Sequence, residues 1–378
     1  MSAASSVLDL MRNSPLVALR GRQATPARAR LWAKLELALP GGMKDRVALQ
    51  MVLDAEAAGQ LQPGGLIVES SSGTLAEGLA RVGACRGYRV IIVTDPRIDL
   101  LTRTKLEALG TEVVVVDEQH PTGGWQLARL LRLREILEQH PEAFWTRQYD
   151  NPSNPGAYEV LAAELLAAPG PPIDALVASV GSGGSLSGTA HALRRQLPGL
   201  RVVAVDAVGS VLFHQPMRPR LQSGHGNNVV AGNLDYTVID QVHWLADAEA
   251  FAGCRELARR EGIFAGGSSG AVYVVASWVT QQLEPGQQVV ALLPDRGDRY
   301  GETIFSATFR AARGLDEAPL PVSPRQLRYG VDAADAWSWA ELPHDGSQPY
   351  HAPEVARTQE LTAGWYPPHR EAVGAEHE

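Results

Sequence analysis

The sequence predicts an α/β protein of two domains, each with a parallel-rich twisted sheet flanked by helices. Three observations lead there. Short Val/Ile/Leu runs alternate with amphipathic stretches along the chain. The runs are near-continuous rather than alternating, as strands buried on both faces require. A chain of 378 residues, 45% hydrophobic and 20% charged, is long and apolar enough for two cores of ordinary size.

Taken in order, strands are expected over residues 66–69, 89–93, 112–116, 175–180, 201–206 and 289–293. The first long helix is expected over 44–58, where Val47, Ala48, Met51, Val52 and Ala55 share one face. Further helices are expected over 74–85, 99–109, 155–166, 185–196, 248–260 and 268–283. No short-period repeat is present. The composition changes after about Gly314, where prolines such as Pro319, Pro321 and Pro324 accompany Trp337, Trp339 and Trp365. This predicts an extended Pro/Trp-containing segment, 315–378, that packs over the body or a neighbouring subunit. A partly disordered appendage is the alternative.

The net charge of −8 and the lack of a Lys/Arg block argue against a nucleic-acid binder. No apolar run is long enough to span a membrane. The opening residues lack a charged stretch followed by an apolar one, so a cytoplasmic location is expected. Cys85 and Cys254 both lie in apolar helical patterns and are expected as buried free thiols, with no disulfide or metal framework.

Lysine is scarce: only Lys34, Lys44 and Lys105 occur. Lys44 stands out because Pro40, Gly41 and Gly42 form a turn that opens its helix. The helix dipole there disfavours an ammonium ion, and a neutral amine is what Schiff-base chemistry needs. A solvated lysine is the plain alternative. Lys34 lies in an alternating segment and Lys105 on a charged helical surface, neither beside glycines.

Several loops combine glycine with hydroxyl groups. Gly181, Ser182, Gly183, Gly184 and Ser185 join a buried strand to a helix, a setting that suits a phosphate. Leu186 stands where a dinucleotide fingerprint would place its last glycine, and tight packing without a ligand explains such a turn equally well. Ser71, Ser72, Gly73 and Thr74 leave another strand in a form suited to a carboxylate, or to a plain helix cap. Gln148 opens a turn rich in Asn and Pro, Gly267 to Gly270 make a helix start, and Pro294-Asp295-Arg296 follows a buried strand. Three of these loops leave the C-terminal ends of parallel strands, where open α/β sheets bind ligands.

In this order the segments resemble the cysteine synthase/cystathionine β-synthase family of fold-type II (tryptophan synthase β-like) enzymes dependent on pyridoxal 5'-phosphate. The matching residues are Asn13-Ser14-Pro15-Leu16, Lys34-Leu35-Glu36, Lys44-Asp45-Arg46, Ser72-Gly73, Gln148 with the turn at 151–155, the 181–188 loop, Gly267-Ser268-Ser269-Gly270 and Arg299-Tyr300. The match covers most of the chain and stops before the last segment. It implies a larger cofactor-binding domain (1–45 and 156–314) and a smaller mobile domain (46–155).

The resemblance also implies roles. Lys44 would hold the cofactor and move the substrate Cα proton, and the 181–185 loop would hold the cofactor phosphate. Ser71, Ser72, Gly73, Thr74 and Gln148 would bind the substrate carboxylate. The family usually has Asn at the position of Thr74, in contact with the cofactor; the Thr74 hydroxyl takes over that contact or the contact is lost. Where Arg296 stands, the family usually has a Ser on the pyridine nitrogen, so Arg296 is either a cofactor contact that would weaken the electron sink or points away and leaves the role to another group. Arg220, in a segment expected at the substrate entrance, suits phosphate or a sulfur oxyanion, or is simply a surface arginine.

The implied reaction is β-replacement on O-phosphoserine or O-acetylserine by sulfide or thiosulfate, giving cysteine or S-sulfocysteine. β-Elimination, an amine nucleophile, and a weakly active regulatory protein are the alternatives. A homodimer acting on a small amino-acid substrate is expected.

Overall fold

Two sheets organise the chain in a computed structural model that describes residues 4–22, 28–121, 124–168, 170, 172–316 and 319–343. The strands are β1 (Leu16–Leu19), β2 (Arg30–Lys34), β3 (Leu66–Ser70), β4 (Arg89–Thr94), β5 (Glu112–Val115), β6 (Phe144–Trp145), β7 (Ala175–Ser179), β8 (Arg201–Ala207), β9 (Gln241–Leu245), β10 (Gln288–Leu292), β11 (Arg325–Gln326) and β12 (Ser338–Glu341). The helices are α1 (Lys44–Ala57), α2 (Thr74–Arg86), α3 (Leu100–Ala108), α4 (Gly124–Gln139), α5 (Ser153–Gly156), α6 (Glu159–Leu166), α7 (Gly184–Arg194), α8 (Asp247–Glu261), α9 (Gly267–Gln282) and α10 (Ala307–Ala311).

The larger sheet runs β1-β2-β10-β7-β8-β9-β12-β11 and the smaller one β5-β4-β3-β6. In the larger sheet β2, β10, β7, β8 and β9 are parallel. The smaller sheet is parallel throughout. The residues of β3, β7, β9 and β10 are all buried, which is why β3, β7 and β10 read as largely apolar runs. α9 is buried along nearly its whole length between the larger sheet and α8. It is apolar all round for that reason.

Several features depart from the expectations of the sequence, and three bear on the fold. β9 was not foreseen, because Gln241 and His243 interrupt its apolar pattern, yet all five residues are buried. β12 covers its outer edge antiparallel, with Ser338 opposite Trp244. This places the start of the C-terminal segment on the body, as one of the two readings expected; its residues from 344 onward lie outside those described. Finally, Cys85 is exposed rather than buried, whereas Cys254 is buried as expected.

Helix α1 matters most for the site. Its buried face is Val47, Ala48, Met51, Val52 and Ala55. Its start is fastened to the exit of β10, since the Met43 N–H donates to the Pro294 carbonyl at 2.9 Å. One turn further, Arg46 donates to Glu36 and to Glu164, with Nε to Glu36 at 2.7 Å and Nη1 to Glu164 at 2.7 Å. Lys34 completes the network on Glu164 at 2.6 Å and the Ser14 carbonyl at 2.6 Å. All four charged side chains are nearly inaccessible, so the start of α1 is held by paired buried charges.

Candidate active site

The exits of β3, β7 and β10 meet around a cavity of about 190 Å³. Each strand delivers a loop with a different chemistry.

Lys44 lines this cavity at the first turn of α1. Burial lowers its amine pKa to about 8, against the pull of the Asp295 carboxylate, which favours the ammonium form. The other lysines are engaged elsewhere: Lys34 in the buried network and Lys105 with Glu77 at 3.1 Å. The separation of the three lysines made from the sequence therefore matches their surroundings.

β3 delivers Ser71, Ser72, Gly73 and Thr74, all lining the cavity. Thr74 opens α2, whose first N–H groups precede any helical acceptor. Two arginines grip this loop. Arg129 donates to Ser72 Oγ at 3.1 Å and pairs with Asp95 at 3.1 Å, and its buried Nε has no hydrogen-bond partner. Arg299 donates to the Ser72 carbonyl at 3.0 Å and pairs with Asp99 at 3.0 Å. It thus ties the segment after β10 to the smaller sheet.

Gln148 reaches the cavity from the far side. Its backbone is pinned at both ends: the N–H donates to the buried Glu69 carboxylate, and the carbonyl accepts from Asn154 at 2.6 Å and Asn233 at 3.0 Å. The neighbouring Tyr149 also lines the wall.

β7 delivers the glycine loop. Gly181 and Ser182 line the cavity, whereas Gly183, Gly184 and Ser185 lie behind them. The first helical bond of α7 runs from Ser187 N–H to the Gly183 carbonyl, so the N–H groups before it have no helical acceptor. The middle glycines also answer a packing demand. Gly183 has φ +83°, and a Cβ there would sit 2.5 Å from the Leu234 backbone. One on Gly184 would collide with the Asn154 carboxamide. The packing reading therefore holds for Gly183 and Gly184.

β10 delivers Pro294 and Asp295. Asp295 accepts from the Tyr300 hydroxyl at 2.6 Å and from Ser268 at 3.4 Å, and burial raises its pKa. Arg296 is a correction. Its side chain is 60% exposed, pairs with Asp298 at 2.9 Å and does not line the cavity. Solvent and a carboxylate two residues away outcompete a buried site for a guanidinium. Ser268, within a motif noted in the sequence but not assigned a role, lines the cavity instead. Arg220 does not line the cavity either; it lies behind Gly226, which does. Sequence reading also passed over Arg129, which sits on an unforeseen helix with no motif around it.

The family model for pyridoxal-phosphate dependent enzymes matches residues 7–295. The chain is 41% identical over 322 residues to N-(2-amino-2-carboxyethyl)-L-glutamate synthase of Ralstonia nicotianae, covering 85% of this chain and 95% of the relative. Among solved structures, O-ureido-L-serine synthase is similar at TM-score 0.75 and 34% identity, over 84% of this chain and 98% of that one. The O-acetylserine dependent cystathionine β-synthase of Helicobacter pylori is similar at TM-score 0.74 and 29% identity, over 80% and 99%.

The donor set fits pyridoxal phosphate on its own chemistry. It offers an amine with a lowered pKa, helix-start N–H groups for a phosphate, and a buried hydroxyl–carboxylate pair, Ser268 and Asp295, for the ring. Matched by that family model over residues 7–295, and folded like its solved members, the chain belongs to the pyridoxal-phosphate dependent enzymes, in the fold-type II group of cysteine synthase and cystathionine β-synthase.

Proposed function

We propose that the protein catalyses β-replacement on O-phospho-L-serine with the α-amine of L-glutamate as nucleophile. The products would be N-(2-amino-2-carboxyethyl)-L-glutamate and phosphate. The observation that carries the donor is Arg129, a mostly buried guanidinium on Ser72 with an unpartnered Nε at the edge of the cavity. A phosphate leaving group would give this cation a charge-assisted bond, and a neutral ester only a weaker one. The nucleophile is supported by the activity named for the Ralstonia relative. It takes the place of the sulfur nucleophile expected from the sequence. O-acetylserine with a sulfur nucleophile is the second reading, favoured by the likeness to the Helicobacter enzyme.

When bound, pyridoxal phosphate draws electron density from the substrate α-carbon. The N–H groups at the start of α7, with Gly181 and Ser182, would hold its phosphate. Ser268, steadied by Asp295, would meet its ring nitrogen in place of Arg296, and Thr74 its ring oxygen. Lys44 would anchor the cofactor and carry the proton to and from Cα; with a pKa of about 8 its amine is in part neutral at neutral pH. The start of α2, the hydroxyls of Ser71 and Ser72 and the Gln148 amide would orient the α-carboxylate. Arg129 would take up the charge that develops on the leaving phosphate. The lobe of residues 46–155 would close over the donor, with Arg299 as the tie between the lobes, excluding water that would divert the reaction to elimination products.

Substituting Arg129→Gln tests the donor. The KM for O-phosphoserine should rise about 10–100-fold, the range for a lost charge-assisted bond. The KM for O-acetylserine should change far less. Equal losses with both donors would contradict the assignment.

A further inference from the structure

Arg220 carries a mostly buried charge that makes no ion pair among the described residues. Its Nη1 donates to the Gly209 carbonyl at 3.3 Å and to Asn228 Oδ1 at 2.5 Å, both neutral acceptors. The acids that act on it, Asp206 and Asp247, do so without forming an ion pair. Asp247 is occupied by the N–H groups of Leu221 and Gln222, at 2.8 and 3.0 Å. Asp206, buried at the end of β8, is pushed up to about 7 by burial and carries only part of a charge at neutral pH. Arg97 adds a like charge on the same side. Burial lowers the Arg220 pKa, with Asp206 and Asp247 acting the other way.

This guanidinium stands directly behind the cavity wall. Gly226 lines the cavity with φ +70°, and a Cβ there would fall 3.2 Å from Arg220 Nε. Any larger residue would push the guanidinium back. Tyr149, also in the wall, feels both Arg129 and Arg220. One cavity thus has two positive poles: Arg129 on the Ser72 side, and Arg220 behind Gly226 and Asn227.

A phosphoserine donor has two anionic groups. Its carboxylate is served by the start of α2 and its phosphate by Arg129, which leaves the second pole unused. We propose that Arg220, one layer behind the wall, attracts the side-chain carboxylate of the acceptor and so selects a dicarboxylic amine over a neutral one. The inference rests on the amine-replacement reading above. An anion there would satisfy a buried cation already desolvated by the fold, so the cost of stripping it of water is met before the acceptor arrives.

The test compares wild-type, Arg220→Gln and Arg220→Lys holoenzymes at saturating donor, with L-glutamate and L-glutamine as acceptors. The readout is the ratio of kcat/KM for the two. It should favour glutamate in the wild type, fall about 10–100-fold in Arg220→Gln and recover in part in Arg220→Lys. Because both acceptors meet the same variant, a general loss of folding or cofactor cancels. An unchanged ratio overturns the inference. A wild type that uses sulfide but neither amine removes the underlying reading instead. Glutarate, a dicarboxylate without the amine, then decides the subsite. Inhibition of sulfide turnover by glutarate that weakens in Arg220→Gln upholds it, and inhibition that is absent or equal in both refutes it.

Discussion

At the residue scale, Lys44 shows how one side chain acquires its chemistry from its surroundings. Burial lowers its pKa and Asp295 pulls it back up, leaving a value near 8. The folded value lies below the ordinary 10.5, so between those two values an unfolded chain binds this proton more than the folded one does. Lys44 therefore adds to apoprotein stability as pH rises through that window. Capture of pyridoxal phosphate by the apoprotein needs the neutral amine, so its rate should rise about tenfold per unit below pH 8 and level off above. Stopped-flow absorbance checks this, and a flat profile across pH 8 would contradict the environment described. The lysine was legible in the sequence because so few compete with it and two glycines precede it. Arg296 was not, since a sequence gives a position but not the direction of its side chain. Ser268 was hidden for the same reason: a serine at a helix start can cap the helix or face a ligand.

At the scale of elements, the loops were legible because strand, glycine and helix follow one another in a fixed order. Their division of labour was not. Gly181 and Ser182 face the cavity, whereas Gly183 and Gly184 make room for Leu234 and Asn154, partners about 50 and 30 residues away along the chain. Such non-local contacts leave no local signature. The buried network at α1 was equally silent: Lys34, Glu36, Arg46 and Glu164 look like ordinary charges until the fold assembles them. Arg46 has the most to lose, since it faces two buried carboxylates. Arg46→Ala would leave Glu36 and Glu164 without that counter-charge, a defect that costs about 3–5 kcal/mol. Urea unfolding should show that loss; a change below about 1 kcal/mol would mean that the network does not hold α1 in place.

At the scale of the whole molecule, the α/β class and the parallel core followed from the apolar runs, and the order of the strands did not. β9 escaped notice because its burial depends on β12, which arrives almost 100 residues later. There Trp337 donates to His243 at 3.3 Å and Trp339 stacks on the same ring. These contacts cover the outer edge of β9 and account for Trp337 and Trp339 in a segment that otherwise reads as a proline-rich tail. The two sheets meet through their loops, and the reaction proposed here needs residues from both: Lys44, Ser268 and the 181–185 loop beside one, Ser71 to Thr74, Arg129 and Gln148 beside the other. The most direct test of that account is to incubate the holoenzyme with O-phosphoserine and L-glutamate, alongside Lys44→Ala, and to follow phosphate release and product mass together. The account predicts one phosphate released per glutamate adduct in the wild type and a loss of about 100-fold or more in the variant. Phosphate release with pyruvate and no adduct, or an equal yield from Lys44→Ala, would contradict it.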